Sequence, residues 1–137
     1  MHIKRCLTIL TLLVVGTLTV PTAHAQTTLT VNVPFEFVAG GKYMPPGQYV
    51  IKARANRDAL QIFDERGHSI FLLGTTNTDN RLLEESRLVF HRYGEVSFLS
   101  GIYWQGYREG REFRKSRYEQ ELARNVGPPS PAVVAAR

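Results

Sequence analysis

Cysteine is almost missing from this sequence. Among 137 residues the one cysteine is Cys6, close to the N-terminus. No disulfide framework and no multi-cysteine zinc or iron–sulfur site can therefore be built. A long apolar run is also missing: Cys6 to Val20 carries no charge but spans only 15 residues, short of the roughly 20 that cross a bilayer as a helix. No G-x-S-x-G elbow, no glycine-rich phosphate loop and no internal repeat occurs, which removes the commonest signatures of acyl and phosphoryl transfer. What remains is an ordinary globular balance, 43% hydrophobic and 21% charged, with a net charge of +5. A chain this long holds one domain.

The N-terminus reads as an export signal. Lys4 and Arg5 precede the uncharged run, Pro21 closes it, and Ala23-His24-Ala25 supplies small residues in the A-x-A arrangement. Cleavage is expected between Ala25 and Gln26, and this reading is preferred over an uncleaved anchor because the run is short and rich in threonine. Removal of 25 residues leaves 112, takes the basic count from 17 to 15 against 12 acidic residues, and lowers the charge to +3. The processed chain has no cysteine and no transmembrane span. It is expected in the periplasm or outside the cell, a single β-rich domain over residues 26–124 followed by a mobile tail over 125–137.

Periodicity along that domain is that of strands. Leu29, Val31, Val33, Phe35 and Phe37 alternate with polar residues, the pattern of a half-buried strand. Pro34 cannot donate to a ladder, which puts this strand at a sheet edge or gives it a bulge. Self-association by addition to that edge is then one expectation. Pro46-Gly47 fits a type II turn and Asp64–Gly67 a type I turn. Strands are expected over residues 48–54, 59–63 and 69–75. A polar loop over 76–80 and a helical turn over 82–85 should follow. A hairpin of 87–92 and 95–104 should then close around Tyr93-Gly94. Residues 107–115 read as an extended loop. Ser116-Arg117-Tyr118-Glu119 is a capping box opening a helix over about 117–124, with Tyr118 and Leu122 on one face. The expected fold is all-β, an antiparallel sandwich or small barrel of about six strands with one short C-terminal helix.

Several stretches resemble a family of short exported β-rich bacterial proteins to which no activity is assigned. They are Val33-Pro34-Phe35-Glu36-Phe37, Gly41-Lys42, Pro46-Gly47-Gln48-Tyr49, residues 88–94 (LVFHRYG), Phe98-Leu99-Ser100, residues 111–116 and Glu121-Leu122-Ala123. Phe113-Arg114 stands where the family pattern has Leu-Pro. The resemblance implies a shared β-rich fold and carries no activity with it. Pro46-Gly47-x-Tyr49 is also similar to a hairpin of prealbumin-like β-sandwich modules.

Candidate chemistry is sparse. His91 lies on a strand with Glu95 across the expected hairpin, so a carboxylate-oriented imidazole for acid–base work is the enzyme reading; a cross-strand surface pair is the preferred one. Neighbouring carboxylates Asp64-Glu65 and Glu84-Glu85 point to opposite faces of a strand and do not converge. Asn77, Asp79 and Asn80 serve as turn formers without the glycine and glutamate of a calcium loop. No metal site and no cofactor is expected. Arg108, Arg111, Arg114 and Lys115 interleave with Tyr107 and Phe113, a mix that can track anionic groups. The local excess over residues 107–124 is only +2, too small for a nucleic-acid footprint. Tyr103 and Trp104 offer a stacking platform or core packing, of which packing is preferred. The function expected is a non-catalytic binding or interaction module of the cell envelope or exterior. Its partner would be an envelope protein, acidic polysaccharide or anionic lipid headgroups. The alternatives are a small-ligand carrier with an apolar cavity and an enzyme using His91 and Glu95.

Overall fold

The computed structural model describes residues 27–53, 59–78 and 82–137. The leader, the Ala25–Gln26 junction, Asp79 and Asn80 lie outside them. Two sheets face each other. The first has four antiparallel strands in the order β1 (Thr27–Val33), β4 (Gly47–Ala53), β5 (Ala59–Asp64), β6 (Ser69–Leu73). The second runs β11 (Ser130–Ala136), β8 (Ser86–Tyr93), β9 (Val96–Tyr103), β10 (Glu109–Glu112), β7 (Thr75–Thr78). A small hairpin of β2 (Phe37–Ala39) and β3 (Lys42–Met44) joins the free side of β9, Val38 pairing in parallel with Phe98. Neither sheet closes on itself, so the architecture is the sandwich of the two expected alternatives, with one helix, α1 (Arg117–Val126).

Alternation decides which face is buried. Leu29, Val31 and Val33 of β1 and Tyr49, Ile51 and Ala53 of β4 point inward, all nearly inaccessible, and meet Leu88, Phe90 and Ile102 of the opposite sheet and Trp104 just past the end of β9. Phe90 is the centre of this core: Phe35 and Phe37 pack edge-on against it at 5.2 and 5.4 Å, and Phe37 does the same to Tyr49 at 5.2 Å. Such T-shaped contacts add to the stabilisation from burial. A second, smaller cluster of Val38, Tyr93 and Phe98 lies against Leu122 and Ala123 of α1, so the helix covers the outer face of the second sheet. Tyr118 adds an edge contact to Phe98 at 5.5 Å.

The structure departs from the sequence expectation in several places. More strands form than the six expected, because polar stretches pair at the margins. Thr75–Thr78 is exposed at all four positions; its residues 76–78, expected as a loop, form a strand only by pairing with β10, which itself replaces part of the expected loop over 107–115. Leu82–Glu85 forms no helical turn. Gly47 has φ 157°, far from the +80° a type II turn needs at that position. Unbroken alternation over the expected strand 95–104 would put Val96, Phe98, Ile102 and Trp104 on one face, but Ile102 and Trp104 pack into the main core while Val96 and Phe98 belong to the smaller cluster. The register slips between Val89 and Phe90, which pair with Gly101 and Leu99, so Ser100 is an extra residue and the alternation flips there. Its hydroxyl donates to the Val89 carbonyl at 3.0 Å.

Gly127 ends α1 at φ 97°, donating to the Ala123 carbonyl, and the chain then returns as β11. That strand pairs with β8 from Ser130–Arg92 to Ala136–Ser86. Arg137 and Thr30 exchange backbone hydrogen bonds at 2.6 and 2.8 Å. The expected mobile tail over 125–137 is therefore the end of a helix and an edge strand that ties the two sheets together. It also occupies the middle of the outer edge of β1, the edge expected to receive another copy. No helix among the described residues is long and apolar enough to cross a membrane.

Candidate functional site

The first sheet ends at β6, and a cleft of about 590 Å³ opens beside it. One wall is the chain from Phe71 to Thr75 as it passes between sheets. Val38, Phe98 and Leu99 line the cleft from the second sheet, and Phe113, Arg114, Ser116 and Glu119 close the other side. The cleft exists because β9 changes neighbour: its free side pairs with β2 at Phe98 and with β10 only from Gly101 onward. Phe113 bridges the seam, its N–H donating to the Ser100 carbonyl at 2.8 Å. Gly40 sits at φ 58°, and a Cβ there would lie 2.7 Å from Leu72 Cδ2. Only glycine meets both demands at the tip of the β2–β3 hairpin.

The wall is unusually apolar for solvent-facing residues. Phe71 is 64% exposed and Leu73 80%. Tyr43 and Tyr118 stand exposed nearby in sequence to β2 and the cleft-lining Glu119. The Tyr43 hydroxyl donates to the Tyr118 oxygen, a bond lost on ionisation, and this raises the pKa of the Tyr43 phenol.

The far side of the cleft is fixed by a polar chain. Ser116 Oγ accepts from the Glu119 N–H at 3.1 Å, the expected cap. The glutamate does not complete the capping box by turning back. Its carboxylate, only 6% exposed, accepts from His91 Nδ1 at 2.8 Å and from the Tyr93 hydroxyl at 3.4 Å. Lys115 Nζ in turn donates to the Tyr93 oxygen at 3.2 Å. This chain joins α1 to β8 where a buried carboxylate would otherwise be costly. It also corrects the expected His91–Glu95 pair: the carboxylate that orients His91 is Glu119, while Glu95 is exposed in the two-residue turn between Tyr93 and Val96.

The other expected binding residues do not form one surface. Trp104 is 1% exposed and belongs to the core, which settles platform against packing in favour of packing. Arg111 is 4% exposed, with Nη1 donating to the Gly110 carbonyl. Tyr103 lies over Gly110, its cross-strand partner, and donates to Glu112 at 2.9 Å. Asn77 donates to the same carboxylate. Burial first, then the Glu112 carboxylate, raises the Tyr103 pKa. Tyr107 and Arg108 are exposed in the preceding turn, and Lys115 is held at Tyr93. Of the basic set only Arg114 lines the cleft.

Sequence reasoning missed Phe71, Leu73, Val38, Phe113 and Glu119 as site residues. One available signal was the run Ile70-Phe71-Leu72-Leu73, apolar on both faces of a strand in a domain with alternating neighbours. Among the described residues no group of three or more metal-ligating side chains converges. No family model, no curated protein and no solved structure matches this chain.

Proposed function

We propose that this chain is an exported binding module of the cell envelope or exterior, acting without catalysis, and that the cleft beside β6 is its ligand site. The observation that carries the reading is the pair Phe71 and Leu73, exposed at 64% and 80% on the wall of an open cleft of about 590 Å³. Large apolar side chains left together in solvent mark interaction surfaces, and ligand clefts span roughly 300–1,000 Å³. The resemblance to short exported β-rich proteins and the leader-like N-terminus support the location.

A small-ligand carrier is the second reading, favoured by the same volume and by Val38, Phe98, Leu99 and Phe113 in the lining. The test for both is native mass spectrometry of the protein purified from its own host's envelope and medium, beside Leu73→Asp. A co-purifying mass present with the wild-type chain and lost from the variant is expected. A protein mass supports the interaction module, and a small mass the carrier. A bare monomer in both samples contradicts the assignment of the cleft.

A further inference from the structure

The cleft is walled by a strand edge, and an edge specifies its partner chemically. In the β5–β6 ladder the Asp64 N–H donates to the His68 carbonyl at 2.9 Å, which makes these two a hydrogen-bonded pair. Such pairs alternate along an antiparallel ladder. The register places Ile62 opposite Ile70, Gln61 opposite Phe71 and Leu60 opposite Leu72. Ile70 and Leu72 therefore turn their N–H and C=O groups toward β5, whereas Phe71 and Leu73 turn theirs away from it. β6 is the last strand of its sheet, and the Phe71 carbonyl lies toward the Gly40 side, 3.8 Å from where a Cβ on that glycine would be.

A second observation concerns charge. Arg114 lines the cleft and is exposed, and it makes no hydrogen bond or ion pair among the described residues. Glu119, the other charged residue of the lining, has its carboxylate engaged by His91 and Tyr93. The cleft thus presents an unmatched positive charge beside an unmatched row of backbone groups. An acyl chain could cover the apolar lining and meet Arg114 with its carboxylate, yet it would leave the N–H and C=O row of Phe71 and Leu73 facing hydrocarbon, which costs free energy. Another extended backbone answers that row with N–H and C=O groups at the matching spacing.

Resting on the reading of the cleft as the ligand site, we propose that β6 takes up an extended apolar segment of another protein as an added strand, with Arg114 pairing a carboxylate of that segment. The segment needs two or more apolar residues spaced two apart, set across from Phe71 and Leu73 as cross-strand partners. An acidic side chain or the free C-terminus supplies the carboxylate.

The test is selection of a displayed random heptapeptide library on the host-purified protein, followed by titration of the enriched peptides in synthetic form. Alternating apolar residues with one carboxylate should be enriched. Methylating the backbone nitrogens that face β6 should abolish binding, and Arg114→Ala should weaken it about threefold, as expected of an exposed ion pair. Leu73→Pro removes one outward N–H without touching the bonds to β5 and should weaken binding by about three- to tenfold. Because that variant also changes a side chain, Leu73→Ala is its control, and the methylated peptide tests the same bond with the protein unaltered. Peptides whose binding survives backbone methylation would overturn strand addition. So would an absence of enrichment while native mass spectrometry shows a small mass dependent on Leu73, a result that leaves the cleft as a ligand site. A dimer dissolved by Leu73→Pro would overturn the assignment to a foreign segment in favour of a second copy.

Discussion

Glu119 is the group through which the helix is tied to the sheet, and removing it gives the sharpest test of how the cleft wall is held. The perturbation is Glu119→Ala, with Glu119→Gln and His91→Ala beside it. A hydrogen bond to a charged group contributes about 1.5–3 kcal/mol. His91 is 31% exposed, so water can reach the abandoned Nδ1–H, which moves the cost toward the lower end. The bond from Tyr93 is long at 3.4 Å and adds roughly 0.5 kcal/mol, and Tyr93 keeps its contact with Lys115. Glu119→Ala should therefore destabilise by about 2 kcal/mol, and Glu119→Gln by about 1, since the amide oxygen still accepts. The double variant with His91→Ala should cost about 1 kcal/mol less than the sum of the single ones. Equilibrium urea unfolding reads all four values. Strict additivity, or Glu119→Ala within about 0.5 kcal/mol of wild type, would mean that α1 is held by Tyr118 and Leu122 packing alone.

Three further outcomes are expected. Gly110→Ala would put a methyl group 2.3 Å from Tyr103 Cδ1. It should cost about 1–3 kcal/mol by thermal unfolding and cost far less in a Tyr103→Ala background; an equal cost in both refutes the ring as the obstacle. Truncation after Gly127 removes β11 and its Arg137–Thr30 bridge, so the protein should lose its cooperative unfolding transition, and an unchanged urea midpoint would show that β11 is dispensable. Burial would raise the Asp64 pKa, but hydrogen bonds from the His68 side chain and backbone, the charge of His68 and the Arg66 N–H outweigh it and lower the pKa. A depressed carboxyl stabilises the fold above its unfolded value, about 3.9, and that contribution is lost as pH falls through the lower folded value. Asp64→Asn should then destabilise at neutral pH and converge with wild type in acid, and a gap that persists in acid contradicts the linkage.

The inner faces of the sandwich were legible in the sequence because burial there is one-sided. Leu29, Val31, Val33, Tyr49, Ile51 and Ala53 alternate with polar neighbours, and all are buried. The cap at Ser116 was legible too, because it depends on residues three apart. What escaped was whatever depends on register or on a partner distant in the chain. The Ser100 bulge is a slip between two strands and leaves no mark in a period of two. Thr75–Thr78 has no apolar face, so only its pairing with β10 reveals it as a strand. Glu119 looked like the second half of a capping box because His91, 28 residues earlier, is invisible to local rules. The site was hidden for a related reason. Phe71 and Leu73 have the composition of a buried strand, and their exposure follows from β6 being the end of its sheet.

β6 offers a free backbone edge to the cleft, and amide hydrogen exchange along that strand tests this without any ligand. In the host-purified protein, read residue by residue by NMR, the amides of Ile70 and Leu72 should exchange slowly because they bond to β5. Those of Phe71 and Leu73 should exchange quickly because they face the cleft. Uniform protection from Ile70 to Leu73 would show that the edge is already covered and would contradict strand addition at β6.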